Sequence, residues 1–201
     1  MTILAIDSSM QGEHSVSRQL LQYFLQKIPN PVNYRDLTKD NPDHLRMDLL
    51  SDQVASSAEN IRQIQLSQDY LQEFLRADLV AIAAPMYNFS IPSILKAWID
   101  RIMIAGKTFR YSEQGAIGLV GNKPIYIFSS RGGQYEPYPD RHGMDHQERY
   151  LKTVFHFLGI SNITIIRAEG VNLSQETATN AVQQAYAQID NLARQPRIFH
   201  A

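Results

Sequence analysis

Ala81-Ile82-Ala83-Ala84-Pro85-Met86-Tyr87-Asn88-Phe89-Ser90-Ile91-Pro92 is the stretch on which the reading of this 201-residue chain turns. The apolar run Leu79–Ala84 stops at Pro85, an aromatic and amide cluster follows, and Pro92 opens a helical pattern through Trp98 and Ile99. Proline suits the first helical turn, where an N–H would lack a partner and where its fixed φ is already helical. The order is therefore strand, exposed loop, helix. In an open parallel sheet, ligands settle in the crevice beyond the carboxyl ends of the strands. Tyr87 and Phe89 would leave large apolar surface uncovered there unless a flat partner, another chain or the core took it up.

Working outward, Thr2–Asp7 predicts a strand, followed by a polar loop and a helix from Ser15 to Ile28 with Leu20, Leu21, Phe24 and Leu25 on one stripe. Val32–Arg35 reads as a short second strand. Residues 37–50 read as irregular, and a long helical region from Ser51 to Arg76 is expected to bend near Ala55–Asn60. Beyond the central stretch, the helix after Pro92 is expected to reach Ile104, and Thr108–Val120 alternates around a Glu-Gln-Gly turn as a hairpin would. A strand at Pro124–Ser129, a long loop over Gly132–Gly143, a helix over Asp145–Leu158, a strand at Ile163–Ala168 and a helix over Gln175–Ala193 complete the pattern. Five strands alternating with helices, several of the strands continuously apolar, imply an α/β fold: a doubly wound parallel sheet in the order 2-1-3-4-5, helices on both faces, and one domain over residues 1–201.

Composition narrows the function. Nineteen basic against 20 acidic residues give a net charge of −1, which exerts no general pull toward nucleic acid or a membrane surface. Between Lys96 and Arg131, however, six basic residues face only Asp100 and Glu113, a local excess suited to an anionic ligand. There is no cysteine, which excludes disulfides and cysteine-ligated metals. Neither a signal-peptide pattern nor an apolar run of spanning length is present, so a cytoplasmic location is expected.

Three strand-end loops carry the chemistry. The loop Ser8–Arg18 holds four serines and enters a helix N-terminus, whose unpaired N–H groups and positive dipole end suit a phosphate. It is neither a P-loop nor a dinucleotide fingerprint, since Gly12 stands alone. Ser15 or Ser17 as an ordinary helix cap explains the same residues, and both readings stand. Ser129-Ser130-Arg131-Gly132-Gly133-Gln134-Tyr135 offers paired glycines whose amides can approach a ligand closely, or simply a turn. With the aromatic loop at Tyr87–Phe89, the three loops meet at one sheet edge. A flat heterocycle with a phosphorylated tail fits all three, and flavin mononucleotide (FMN) is the natural choice.

On these residues the chain resembles the FMN-dependent NADH:azoreductase and quinone reductase family of flavodoxin-like proteins. The matching segments are Ser8–Ser17, Ala83–Phe89, Gly106–Tyr111, Ser130–Gly133, Phe157–Ile160 and Ala168–Gly170, in order along nearly the whole chain. The resemblance implies that Ser9, Ser15, Val16 and Ser17 hold the flavin phosphate. It implies that Met86, Tyr87, Asn88 and Phe89 flank the isoalloxazine, and that Ser130, Arg131, Gly132 and Gly133 line its pyrimidine end. It further implies a homodimer, with NADH as donor and quinones or azo compounds as acceptors in two-electron turnover. The segment Gln134–Gly143, rich in Tyr, Pro and His, and the tail from Arg194 depart from the family pattern.

Phe89, Tyr111 and Tyr135 come from separate loops without a core role in the pattern, and are read as the rings that bind substrate. Tyr87, Phe89, Phe109, Tyr111, Tyr135 and Tyr138 are together expected to be exposed, the surface of an interface or ligand site. His142 and His146, four apart with Asp140 and Asp145 nearby, read as solvated loop residues rather than a metal site. Gly115-x-x-Gly118-x-x-Gly121 reads as turns, because no helix follows it. No catalytic side chain is called for, since the flavin would carry the chemistry. Two other functions stand against this reading: a non-catalytic flavodoxin-like electron carrier, which the near-neutral charge disfavours, and a hydrolase of phosphorylated groups using the serine loop.

Overall fold

In chain order the elements are β1 (Ile3–Asp7), α1 (Val16–Lys27), β2 (Val32–Asp36), α2 (Leu37–Asp40), α3 (Ala58–Arg76), β3 (Leu79–Pro85), α4 (Ser93–Ile102), β4 (Phe109–Ser112), β5 (Gly115–Gly118), β6 (Ile125–Arg131), α5 (Gln147–Phe157), β7 (Ile163–Glu169) and α6 (Gln175–Ala193). The computed structural model describes residues 1–46, 57–135, 138 and 143–194. Five strands pair in parallel in the order β2-β1-β3-β6-β7, the order expected once the hairpin β4–β5 is set aside.

The sheet separates two cores. On one face Leu4, Ile6, Val80, Ile82, Ile125 and Ile127 pack with α3, α4 and α5 through side chains such as Phe74, Trp98 and Phe155. On the other, Ile3, Ala5, Ala81, Ala83, Tyr126 and Phe128 pack with α1 and α6 through Leu20, Phe24 and Ile189. The period-two alternation along each strand assigns residues to the two faces. Every residue of β3 and β6 is buried, which places their carboxyl ends on a stiff support.

Four expectations need correction. Residues 37–40 form a helical turn, because the Asp36 carboxylate accepts the Thr38 N–H and starts it. The third helix begins at Ala58 with Ser57 as its cap, and the part expected over 51–56 lies outside the described residues. Ser130 and Arg131, read as loop, are the last two residues of β6 and are buried. Phe109 is only 8% exposed: the β4–β5 hairpin folds back so that its ring meets Phe157 of α5, centroids 4.9 Å apart. Gly118 permits that docking, since a Cβ there would overlap the Leu158–Gly159 backbone.

Candidate functional site

The first loop leaves β1 at Asp7 and enters α1 at Ser15. The Ser15 hydroxyl accepts the Arg18 N–H at 3.1 Å and the Ser15 carbonyl accepts the Gln19 N–H at 3.0 Å, so the helix is capped and begun. Among the described residues the Val16 and Ser17 N–H groups find no backbone acceptor, the ordinary state of a first helical turn. Ser9, Ser15 and Ser17 are all buried, and the Ser15 and Ser17 hydroxyls lie 3.2 Å apart. Cap and anion donor are thus compatible readings: Ser15 does the capping, while two amides and the neighbouring hydroxyls remain for an anion.

What supports this loop was not legible in the sequence. Asp7, fully buried, accepts the Ser9 N–H at 3.0 Å and the Tyr34 hydroxyl at 2.6 Å, and pairs with Arg18 Nε at 2.5 Å. Arg18 also donates to the Ser9 carbonyl at 3.3 Å and to Asp36 at 3.4 Å. A cation therefore stands behind the serine loop, fixing its backbone while its charge is answered by two carboxylates. The one available signal was an acid at the carboxyl end of an apolar strand.

The second loop is a tight turn. Tyr87 and Ser90 exchange backbone hydrogen bonds at 2.9 and 3.0 Å, and both residues between them have positive φ, 49° at Asn88 and 68° at Phe89. That is the signature of a type I′ turn, which Asn accepts and a bulky Phe does not. Such strain persists only where the surroundings impose it, and it gathers at ligand sites. Here the Phe89 carbonyl accepts the His146 N–H at 3.0 Å, and the Tyr87 and Ser9 hydroxyls lie 3.4 Å apart, so the turn is tied to both the α5 approach and the first loop. Alongside it runs a cleft of about 470 Å³ whose walls include Met10, Asn88, Pro92, Lys96 and Tyr150.

The third loop leaves β6. Its last rung to β3 is the Met86 N–H donating to the Ser130 carbonyl at 2.8 Å. The carbonyls of Arg131, Gly132 and Gly133 then accept the N–H groups of Val171, Asn172 and Gly170, while among the described residues the Gly132 and Gly133 N–H groups have no backbone partner. A Cβ at Gly132 would come within 2.6 Å of the Asn172 side-chain amide, so a larger residue there would have to displace that side chain. Paired amides beside an aromatic turn, and amides with hydroxyls at a helix start, fit a flat, phosphorylated ligand.

Arg131 was expected among the ligand contacts, and its side chain is engaged elsewhere. The buried guanidinium pairs with Asp145 at 2.9 Å, with Glu169 at 2.9 Å and with Glu148. The basic excess over 96–131 is largely absorbed in the same way. Lys96 pairs with Asp100, Arg101 donates to the Gln63 and Asp43 carbonyls, and Lys123 donates to carbonyls at the end of α3, those of Phe74, Leu75 and the cap residue Ala77. Burial holds the Lys123 ammonium below its ordinary pKa.

Of the three rings read as substrate contacts, two come together. Phe89 and Tyr135 meet edge to face, and Tyr135 is half-buried. Tyr111, 73% exposed on the hairpin, meets Phe109 instead. Phe89 and Tyr138 are exposed as expected, at 44% and 42%. Among the described residues no three His, Asp or Glu side chains gather as metal ligands, and His142 and Asp140 lie outside them.

Residues 1–193 match the family model described as the flavodoxin-like fold. The chain belongs to the flavodoxin-like family. Within it, this flavodoxin-like chain is 49% identical over 201 residues to an FMN-dependent NADH:quinone oxidoreductase of Legionella pneumophila, covering 96% of this chain and 97% of that one. It is 45% identical to a protein of the same name from Azospirillum brasilense, with 96% and 98% covered. Among solved structures, an FMN-dependent NADH-azoreductase from Bacillus anthracis in complex with FMN superposes with a TM-score of 0.86 at 28% identity, over 99% of both chains.

Proposed function

We infer that the protein is an FMN-dependent oxidoreductase that takes electrons from NADH and reduces quinones and azo compounds, two electrons per turnover, with residues 1–201 acting as one cytoplasmic FMN-binding unit. The observation that carries this reading is the convergence of three loops at one sheet edge, the first and third with N–H groups that find no backbone acceptor among the described residues and the second with a strained aromatic turn. Relatives at 45–49% identity bear the corresponding name. Among the described residues no helix is long and apolar enough to cross a membrane.

In this reading Ser9, Ser15, Val16 and Ser17 hold the phosphate, Met86–Phe89 flank the ring, and the main chain of Ser130–Gly133 meets its pyrimidine edge. Bound flavin supplies the capacity to accept two electrons from one substrate and release them to another. The chain supplies the rest. The Gly132 and Gly133 amides, fixed before any ligand arrives, stabilise negative charge where the ring would gain it. The Phe89 and Tyr135 rings offer stacking surface to a nicotinamide or a quinone in turn.

The reading also takes the protein to be a homodimer, with exposed Tyr111 reaching toward the partner's cavity. Support comes from the hairpin ring, whose apolar surface is otherwise open to water. The absorption spectrum of the purified protein tests the cofactor, and initial rates test the cycle: NADH varied at several fixed quinone levels should give parallel double-reciprocal lines. Intersecting lines would mean that both substrates bind together. Light scattering that finds a fully active monomer at micromolar concentration would remove the dimer.

A further inference from the structure

Beneath the ring-side loops lies a buried side chain that none of the foregoing uses. Gln147, the first residue of α5, is fully buried. Its Nε2 donates to the Ala84 carbonyl at 2.6 Å, and its Oε1 accepts from the Ser129 hydroxyl at 3.1 Å and from Arg131 Nε at 3.2 Å. Ala84 and Ser129 face each other across the ladder, immediately before the two strands release the aromatic turn and the glycine pair. With a carbonyl acceptor facing its nitrogen on one side and two donors aimed at its oxygen on the other, the amide has a single orientation that satisfies everything around it. It also delivers Arg131 in register to Asp145, Glu148 and Glu169, which come from α5, its approach and β7.

The geometry points to Gln147 as the positioning residue for the flavin ring: it fixes the spacing and relative orientation of the Met86–Phe89 turn and the Gly132–Gly133 amides without touching the ligand. The inference rests on the FMN reading above. Two main-chain segments that grip opposite sides of one planar ring must hold their separation to a fraction of an ångström, and buried polar networks in low dielectric are the stiffest means available. Arg131 alone would not achieve this, because its three carboxylates come from α5, its approach and β7, and none of them belongs to β3. Gln147 is the member of the network that reaches across to β3.

The test compares wild type with Gln147→Leu, which removes every bond, and with Gln147→Glu, which keeps the volume and the Arg131 contact but sets a carboxylate oxygen against the Ala84 carbonyl. FMN and riboflavin are titrated separately onto apoprotein by fluorescence, and the midpoint potential of bound FMN is read against a redox dye. Loss of ring positioning should weaken both ligands by the same factor, at least tenfold, because the phosphate loop is untouched. In Gln147→Leu the reduced form should lose a further tenfold over the oxidised form, a fall of about 30 mV for a two-electron couple. If Gln147→Leu does not fold, Gln147→Glu decides on the paired affinities. Riboflavin affinity within twofold of wild type in a folded variant overturns the inference, and so does a loss confined to FMN. Wild-type apoprotein that binds neither ligand would overturn the FMN reading itself, an outcome distinct from variants that match a flavin-binding wild type.

Discussion

The rings of Phe89 and Tyr135 meet edge to face, with centroids 6.5 Å apart and planes at 86°. They belong to different loops, so the contact joins the exits of β3 and β6 on the surface much as hydrogen bonds join them below. Removing Tyr135 strips one wall from the space above the ring without touching a flavin-holding donor. Tyr135→Ala should therefore keep its FMN and raise KM for quinone by about two- to tenfold, the equivalent of an aromatic contact of roughly 0.5–1.5 kcal/mol. An unchanged KM for both NADH and quinone would place acceptor choice elsewhere.

Ser17 separates phosphate binding from helix capping. Its hydroxyl is buried 3.2 Å from that of Ser15, yet it caps nothing. Ser17→Ala should leave thermal stability nearly unchanged and weaken FMN by roughly 1.5–3 kcal/mol, the range for a hydrogen bond to a charged group. Riboflavin, which lacks the phosphate, should bind as before. Equal losses for both flavins in a titration would contradict the assignment.

Gly118 lies far along the chain from that loop and acts by absence of a side chain. An added Cβ would meet backbone, which cannot rotate away, at Leu158 and Gly159. Gly118→Ala should cost about 3 kcal/mol through overpacking, or roughly 6–12 °C in melting temperature for a chain of this size. A melt within a degree or two of wild type would show that the hairpin is not seated on α5 in this way.

Alkaline pH probes the tyrosines of the core. Burial, with help from the nearby Asp40 charge, raises the Tyr70 phenol well above its ordinary 10; burial alone raises Tyr126; burial and Asp100 push Tyr150 up to about 12. Above pH 10 the unfolded chain releases these protons while the folded chain keeps them. The folded state thus binds more protons in that window, and stability must fall as pH rises through it. Melting temperatures between pH 9.5 and 11.5 should decline, less steeply in Tyr126→Phe. A flat profile would mean that the phenols ionise within the folded protein.

Much of this was legible in the sequence because burial leaves a plain record there. The continuous apolar run at 79–84 announces a strand covered on both faces, the isoleucine-rich 163–166 announces the half-covered strand at the sheet edge, and Ser174 before an amphipathic stretch marks α6. The misreadings share one cause. Ser130 and Arg131 looked like loop because they are polar, but Arg131 is sheltered by carboxylates 14 to 38 residues away, which no local pattern displays. Phe109 looked exposed because its cover, Phe157, lies on α5. Tyr111 was grouped with Phe89 and Tyr135 by residue type, and within one chain its ring meets Phe109.

The alternation along β3 has a consequence for measurement rather than for stability. Ala81 and Ala83 lie against α1, and Val80 and Ile82 lie against the opposite helices. A shift of one residue would thrust branched side chains at α1 and leave alanines where Val and Ile belong, errors that a close-packed interior resists on both faces. The same shift would advance Met86 by about 3.3 Å relative to Ser130. The small–large sequence of this strand is thus a ruler: it calibrates where each loop is released, and graduated in this way the sheet can place main-chain atoms at its rim more finely than the loops could place themselves.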